Sequence, residues 1–187
     1  MGKSYKEIIM KTISNKETFP IVRGDLFDYV EKITRSGNNG SSIIVPHVCN
    51  NINAFGAGFA GEVSKNYPIV KENYHLLGSN FLKNNLGYVQ FIEVYRDASF
   101  GHKLIFANMI AQNGTVSKKN PRPLNYLALV KCMNQINMFI SKNFNNDTRV
   151  EIHAPRFGCG LAGGNWNFIS DLIDDIWTNK SVVIYLK

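Results

Sequence analysis

The chain has 187 residues, of which 44% are hydrophobic and 19% charged, a composition typical of a globular domain rather than a disordered segment. No apolar run approaches the roughly 20 residues that a transmembrane helix needs, and the N-terminus lacks the apolar region of a secretory signal. The 3 cysteines form no C-x-x-C pair and the 4 histidines no i,i+4 pair, which argues against a disulfide framework and a zinc site. We therefore expect a single domain in the cytoplasm, without a metal or a cofactor.

The charge balance is basic, because 21 Lys and Arg residues against 14 Asp and Glu residues give a formal net charge of +7. Such an excess favours an anionic partner, although a solvated basic surface is the simpler explanation. The one dense basic patch covers residues 118–122, and no nucleic-acid recognition motif accompanies it. We expect a monomer that contacts no membrane and does not bind nucleic acid.

Strands alternate with helices along the first half of the chain. Residues 26–34 carry apolar side chains at helical spacing, and the polar residues 36–42 separate this helix from the next strand. The predicted elements are, in order, a strand at 19–22, a helix at 26–34, a strand at 43–45, a loop at 46–60 with a helical segment up to about residues 67–68, and strands at 87–95 and 103–109.

The second half begins with a break at residues 120–123, which contain two prolines. A long helix is predicted over residues 124–143, with expected core positions Leu127, Val130, Met133, Met138 and Phe139. The remaining predicted elements are a strand at 150–154, a helix at 166–177 and a strand at 182–186. This alternation indicates an α/β layer sandwich with a largely parallel sheet.

Two glycine-rich loops each follow a predicted strand and lead into a helical segment. Residues 158–164 read Gly-Cys-Gly-Leu-Ala-Gly-Gly, and residues 56–58 form a Gly-Ala-Gly corner. Such turns direct free backbone N–H groups and the positive end of a helix dipole at one point, which suits phosphate. Because both loops fall at carboxyl ends of strands, we expect them to bind one elongated ligand that carries more than one phosphate.

Residues 158–163 also spell G-x-G-x-x-G, so a dinucleotide-dependent dehydrogenase has to be weighed. The motif lies near the C-terminus, and no acid ends the following strand, so this alternative is disfavoured. Cys159 at the loop tip could serve as a nucleophile, because a helix N-terminus favours a thiolate. The simpler explanation is that a small residue fits between two glycines.

Four motifs in this order resemble the macrodomain family. They are Gly24-Asp25-Leu26 after the first strand, a polar strand end closing at Asn50, Gly-Ala-Gly-Phe-Ala at residues 56–60, and Pro-Arg-Phe-Gly-Cys-Gly-Leu at residues 155–161. The resemblance covers residues 19–186 and is closest to the subgroup that includes ADP-ribose-1″-phosphate phosphatases. It implies a three-layer α/β/α fold with a mixed, largely parallel central sheet, in one domain over residues 1–187 with residues 1–18 as an N-terminal extension.

The resemblance also implies a set of ligand contacts. Asp25 would accept a hydrogen bond from the adenine amino group, although it also suits the N-cap of the next helix. Glycine loops would hold the diphosphate and the distal ribose through main-chain N–H groups. The ligand-binding residues implied are Asp25, Leu26, Val48, Gly56, Ala57, Gly58, Phe59, Ala60, Pro155, Phe157, Gly158, Cys159, Gly160 and Leu161.

His47 and Asn50 are the catalytic residues that the resemblance implies, with Asn50 orienting the distal ribose. His47 could attack a phosphoryl group or act as a general base on a water, and a purely structural histidine is the alternative. His75 and His153 are expected to be structural. The deacylating macrodomain hydrolases use a lysine and an aspartate where this chain reads Met-Ile-Ala-Gln at 109–112 and Leu-Ala-Gly at 161–163.

The expected function is therefore to bind ADP-ribose and to hydrolyse the phosphate of ADP-ribose-1″-phosphate. Three alternatives stay open at this point. The first is a non-catalytic ADP-ribose reader, the second a protein that sequesters a related nucleotide signal, and the third a mono-ADP-ribosyl hydrolase.

Overall fold

The computed structural model describes residues 18–36, 40–146 and 148–187, so the expected N-terminal extension lies outside the described residues except for Thr18. Within this part of the chain, six strands form one sheet in the order β1-β6-β5-β2-β4-β3. The strands are β1 Ile21–Arg23, β2 Ser41–Asn50, β3 Val89–Arg96, β4 Lys103–Gln112, β5 Arg149–Pro155 and β6 Ser181–Leu186. The helices are α1 Leu26–Ser36, α2 Gly58–Asn66, α3 Pro68–Leu76, α4 Gly78–Asn84, α5 Tyr126–Asn143 and α6 Trp166–Ile176.

The sheet is mixed and largely parallel, as predicted. All neighbouring strands run parallel except β3, which pairs antiparallel with β4. One face of the sheet packs against α5 and α6, and the other face packs against α1, α2, α3 and α4. Side chains of β2 alternate between the two cores, with Ile44 on the first and Ile43 and Val45 on the second. The architecture is therefore the three-layer α/β/α arrangement.

The sheet opens between β2 and β5 toward the carboxyl ends of these strands. β2 pairs with β5 only as far as Ile44 and Ile152, whereas it pairs with β4 as far as Asn50. The backbones of β2 and β5 no longer share hydrogen bonds beyond that point. This opening creates room for a ligand at the edge where parallel α/β sheets bind one.

β2 is longer than the sequence predicted. The strand was expected to end at residue 45, with residues 46–60 as a loop, but it continues through Pro46 and His47 to Asn50. Proline lacks an N–H and normally disrupts a central strand. It is tolerated here because β2 has already parted from β5, so only the ladder to β4 remains at this position.

Two helix predictions need correction. The sequence pattern predicts no element in residues 68–84, where the structure has α3 and α4. Pro68 stands at the first turn of α3, where proline is favoured. In α5, Leu127 and Met138 were expected in the core but are 67% and 69% exposed. The buried face consists of Ala128, Leu129, Cys132, Met133, Ile136 and Ile140. Among the described residues, no helix is long and apolar enough to cross a bilayer.

Candidate functional site

Two loops meet at the opening in the sheet. Loop 1 comprises residues 51–57 between β2 and α2, and loop 2 comprises residues 156–165 between β5 and α6. They are close enough that a Cβ added to Gly58, just after loop 1, would lie 3.5 Å from Leu161 Cδ1 in loop 2. Between them lies a cavity of about 510 Å³, here called the first cavity. Small-molecule sites are commonly roughly 300–1,000 Å³.

Most residues that the sequence assigned to the site line this cavity. They come from the end of β2, from loop 1 and the first turn of α2, and from the end of β5 with loop 2. The assigned residues that line it are His47, Val48, Asn50, Gly56, Ala57, Gly58, Phe59, Ala60, Pro155, Phe157, Gly158, Gly160 and Leu161. Asp25, Leu26 and Cys159 do not belong to the lining that the described residues form.

Asp25 lies at the carboxyl end of β1 and has partners of its own. Its Oδ1 accepts a hydrogen bond from Phe27 N at 2.9 Å, which caps α1. Its Oδ2 lies 2.9 Å from Lys187 Nζ, which also bridges to Glu62 at 2.9 Å. Burial alone would raise the pKa of Asp25, but the hydrogen bonds from Lys187 and Phe27 N lower it. Leu26, beside it, is buried in the core under the sheet.

Cys159 packs toward the core rather than into the first cavity. Its Sγ lies 3.6 Å from Phe157 O, and the side chain contacts the core shared by α5 and α6. Burial raises the pKa of this thiol, against the opposing effect of Arg156. A protonated thiol that faces away from the cavity is not suited to act as a nucleophile. Phe157 packs edge-on against Trp177 in the same core.

Some main-chain N–H groups of loop 2 are used within the loop and others are not. Gly163 N donates to Gly160 O at 2.9 Å and Gly164 N donates to Gly158 O at 2.8 Å, so the loop folds back on itself. Within the described residues, the N–H groups of residues 158–162 have no acceptor. Gly158 has φ of 77°, and a Cβ there would approach Leu124 Cδ2 at 3.1 Å. The turn therefore needs glycine, and its free N–H groups suit an anion.

Asn50 shapes loop 1. Its Oδ1 accepts hydrogen bonds from Ile52 N at 3.0 Å and Ala54 N at 3.2 Å, and Tyr74 OH lies 3.1 Å from the same oxygen. The side chain thus holds the backbone that leads into α2. At the N-cap of α2, Ala57 makes no side-chain hydrogen bond. The first-turn N–H groups of this helix therefore remain available to a ligand.

His47 forms part of the cavity floor and is almost fully buried, at 1% exposure. Its ring lies 5.8 Å from the ring of Phe55 and 5.7 Å from that of Phe59. Nδ1 lies 3.7 Å from Cys49 Sγ. Nε2 has no hydrogen-bond partner among the described residues, and neither has Oδ1 of Asn108, the residue opposite His47 on β4.

Burial makes His47 uncharged at neutral pH. Desolvation lowers its pKa to about 4, and a hydrogen bond with Asn108 opposes this effect only in part. His47 and Asn108 stand opposite each other in the register of β2 and β4, so Asn108 Oδ1 is the natural hydrogen-bond partner of His47 Nε2.

Several lining residues were missed by the sequence analysis. Gln112 ends β4, and Thr115 and Val116 follow it; these residues line the first cavity from the side opposite loop 2. Strand order alone could have found them, because β4 adjoins β2 in the sheet. Arg156 also lines the cavity, and its guanidinium carbon lies 4.6 Å from the ring of Trp166. It is the one Lys or Arg in the lining formed by the described residues.

No protein-family profile matches the chain. An uncharacterised protein of Enterobacteria phage T4 is 29% identical over 141 residues, which cover 75% of this chain and 83% of that protein. An ADP-ribose 1″-phosphate phosphatase of Lodderomyces elongisporus is 34% identical over 73 residues, which cover 35% of this chain and 42% of that protein.

Solved structures share the fold over most of the chain. A Bacteroides thetaiotaomicron protein of unknown function has a TM-score of 0.69 at 26% identity and covers 91% of this chain and 99% of its own. A macrodomain protein of Streptomyces coelicolor has a TM-score of 0.64 at 27% identity, over 89% and 97%. Thermosipho africanus DarTG in complex with ADP-ribose has a TM-score of 0.65 at 17% identity, over 94% and 43%. These similarities confirm the resemblance that the motifs indicated.

Proposed function

Because the chain has the macrodomain fold and shares sequence with macrodomains, we propose that it binds ADP-ribose in the first cavity. The observation that carries the proposal is the convergence of loop 1 and loop 2 on one cavity of about 510 Å³ at the carboxyl ends of β2 and β5. Two separate anion-binding turns that face one space suit a diphosphate better than a single phosphate.

The diphosphate would be bound by main-chain N–H groups. Loop 2 offers those of residues 158–162, and the first turn of α2 offers those opposite. Arg156 would add a charge at the rim. In the similar Thermosipho africanus structure the ligand is ADP-ribose. The adenine end would approach Asp25, where it must share the carboxylate with Lys187.

Calorimetry with ADP-ribose tests the binding proposal. Gly160→Val is the informative variant, because a Cβ on Gly160 meets no protein atom within 4 Å and the fold should tolerate it. The added side chain should instead occupy the space of the ligand, and we expect affinity to fall at least about tenfold. Ala98→Val, in the exposed turn between β3 and β4, is the control and should bind as the unmodified chain does. Absence of heat at millimolar ADP-ribose would refute the proposal.

A second function is favoured by the similarity to a phosphatase. The chain would release the terminal phosphate of ADP-ribose-1″-phosphate, as the name of the Lodderomyces elongisporus relative indicates for that protein. Main-chain N–H groups of the two loops would stabilise charge on the phosphoryl group. His47 would accept a proton from the attacking water at the cavity floor. The bond between phosphorus and the 1″ oxygen would break, and the leaving oxygen would take up that proton. With a pKa of about 4, it is a weak base at neutral pH.

The variant His47→Gln separates ADP-ribose binding from phosphate release. General-base catalysis typically contributes about 100-fold or more, so phosphate release should fall by that factor while ADP-ribose affinity persists. Unchanged turnover would limit His47 to shaping the floor under Phe55 and Phe59. If the unmodified chain releases no phosphate, it is a reader or a sequestering protein. Loss of label from a mono-ADP-ribosylated protein would instead identify an ADP-ribosyl hydrolase.

A further inference from the structure

A second cavity, of about 320 Å³, lies between the end of β4 and the start of α5. Its polar lining residues are Asn113, Asn120, Arg122, Asn125 and Tyr126. In the sequence, this region stands out only by the basic patch at residues 118–122. The proposed ADP-ribose site does not include any of these five residues.

In three of these side chains, the oxygen atom already accepts a hydrogen bond from another part of the protein. Asn113 Oδ1 accepts from Asn51 Nδ2 at 3.1 Å. Asn125 Oδ1 accepts from Ala128 N at 2.9 Å, and Tyr126 OH accepts from Asn165 N at 2.8 Å. Two NH₂ groups and one hydroxyl proton therefore remain as hydrogen-bond donors.

Asn120 differs, because its NH₂ group serves the chain itself. Nδ2 donates to Asn113 O at 2.9 Å and to Thr115 O at 3.2 Å, which closes the hairpin of residues 113–120. Asn120 thus stabilises the backbone that forms the wall of the second cavity. The donors available to a ligand come from the other polar lining residues.

Arg122 supplies the positive charge and is held on two sides. Its guanidinium carbon lies 4.9 Å from the ring of Tyr126. Loop 2 packs against its backbone so closely that a Cβ on Gly163 would lie 3.1 Å from Arg122 Cα. No Asp or Glu occurs in residues 112–126 or 154–167, so neither segment offers a carboxylate that would neutralise it.

The two cavities share a wall. Gln112, Thr115 and Val116 line the first cavity, whereas Asn113 lines the second. Loop 1 is tied to this wall, because Asn51 donates to Asn113 and accepts a hydrogen bond from Gly114 N at 2.8 Å. A group that projects from a ligand in the first cavity would have to pass this wall to reach Arg122.

We propose that the second cavity is an oxyanion subsite centred on Arg122, which receives a phosphate or carboxylate group next to the ligand of the first cavity. A cavity that is lined by hydrogen-bond donors, with no Asp or Glu among the described residues of its lining, suits an oxyanion. The guanidinium of an arginine can bind either a phosphate or a carboxylate in a bidentate manner. The phosphate would be the terminal phosphate of ADP-ribose-1″-phosphate, which would then lie away from His47 and would not be hydrolysed. The carboxylate would belong to a protein that carries the ligand. The link to ADP-ribose rests on the proposed function, but the affinity of the subsite for an oxyanion does not.

The first experiment uses inorganic phosphate alone. Side-chain NMR signals of Asn113 and Asn125 should shift saturably with phosphate, and chloride at equal ionic strength should leave them unchanged. Arg122→Gln should weaken this binding at least about tenfold, because a charge-assisted contact is lost. Lys142→Gln, which removes the same charge in the last turn of α5, should not. Equal affinity in Arg122→Gln, or equal shifts with chloride, would overturn the subsite.

The second experiment compares ligands by calorimetry. If the phosphate is part of the ligand, ADP-ribose-1″-phosphate should bind about tenfold more tightly than ADP-ribose, and Arg122→Gln should remove only this difference. If the carboxylate comes from a carrier, a glutamate-rich peptide should show the Arg122-dependent binding instead. Dependence on Arg122 in neither arm would overturn the link between the cavities. Failure of ADP-ribose itself to bind would refute the proposed function and leave the phosphate result standing.

Discussion

Two buried histidines on neighbouring parallel strands face the same side of the sheet but have different surroundings. His153 on β5 is 1% exposed, with Nε2 2.8 Å from Glu151 Oε2 and Nδ1 3.0 Å from Tyr185 OH. His47 on β2 is equally buried, yet its Nε2 lacks a partner among the described residues. Burial is the same, so the hydrogen-bond partners decide what each imidazole can do.

The His153 group is a closed polar cluster. Ser41 Oγ donates to Glu151 Oε1 at 3.2 Å, Arg149 lies 2.9 Å from the same oxygen, and the ring of Tyr29 stacks on His153 at 4.6 Å. Such a paired network stabilises the fold but offers no free atom to a substrate. His47 forms part of the floor of the first cavity, and among the described residues its Nε2 faces only Asn108 as a partner. We infer that His153 is structural and that His47 is the imidazole available for a function.

The largest effect should come from breaking the closed cluster. Glu151→Ala leaves the buried ring of His153 and the buried hydroxyl of Ser41 without this carboxylate. Each buried donor that loses its acceptor costs about 1–3 kcal/mol. We expect this loss in the free energy of unfolding measured with urea. Glu93→Ala removes an exposed carboxylate paired with Arg96 and should change stability by less than about 1 kcal/mol. Equal effects of the two variants would show that the cluster contributes little.

The second effect distinguishes the two histidine sites by pH. The pKa of His47 is lowered to about 4, whereas an unfolded histidine titrates near about 6.5. The unfolded state therefore takes up a proton first, and stability is lost as the pH falls from about 6.5 toward 4, by up to about 3 kcal/mol. The hydrogen bond with His153 lowers the pKa of Glu151. The stability that the Glu151 carboxylate contributes is therefore lost only as the pH falls below the pKa of an unfolded glutamate, about 4.3.

Unfolding by urea across this pH range measures both contributions. His47→Gln should flatten the slope between pH 6.5 and 4.5 and leave the steeper loss below it. A slope that is unchanged in this variant would mean that His47 is not held neutral by burial. The same result would remove the reason for treating it as a weak base in the proposed phosphatase reaction.

The parts of the site that are local in sequence could be predicted. Glycine turns after apolar strands located loop 1 and loop 2, and the period of the hydrophobic residues located the strands that carry them. Their meeting follows from the parallel order of β2 and β5. Leu127 and Met138 were misplaced because an apolar side chain does not reveal which face of α5 the sheet will cover.

The remaining features depend on contacts between distant residues. The pairing of Asp25 with Lys187 joins the two ends of the described chain. The burial of His47 requires Phe55 and Phe59 to fold over the end of β2. The wall between the two cavities needs β4 to adjoin β2, because Asn51 after β2 is hydrogen-bonded to Asn113 after β4. Hydrophobic period and turn chemistry therefore gave the loops, while the environment of each polar side chain required the tertiary structure.

The smallest effect tests whether the closed cluster acts as a unit. Tyr185→Phe removes the hydroxyl 3.0 Å from His153 Nδ1 and keeps the ring, so one buried hydrogen bond is lost at a cost of about 1 kcal/mol. Tyr95→Phe, in half-buried β3, is the control and should be close to neutral. In a double-mutant cycle, Tyr185→Phe should cost less once Glu151→Ala is present, because both act on the same imidazole. Strict additivity would mean that Glu151 and Tyr185 support the fold separately. The two hydrogen bonds to the His153 ring would then act independently. His153 would differ from His47 only in how many hydrogen bonds its ring makes.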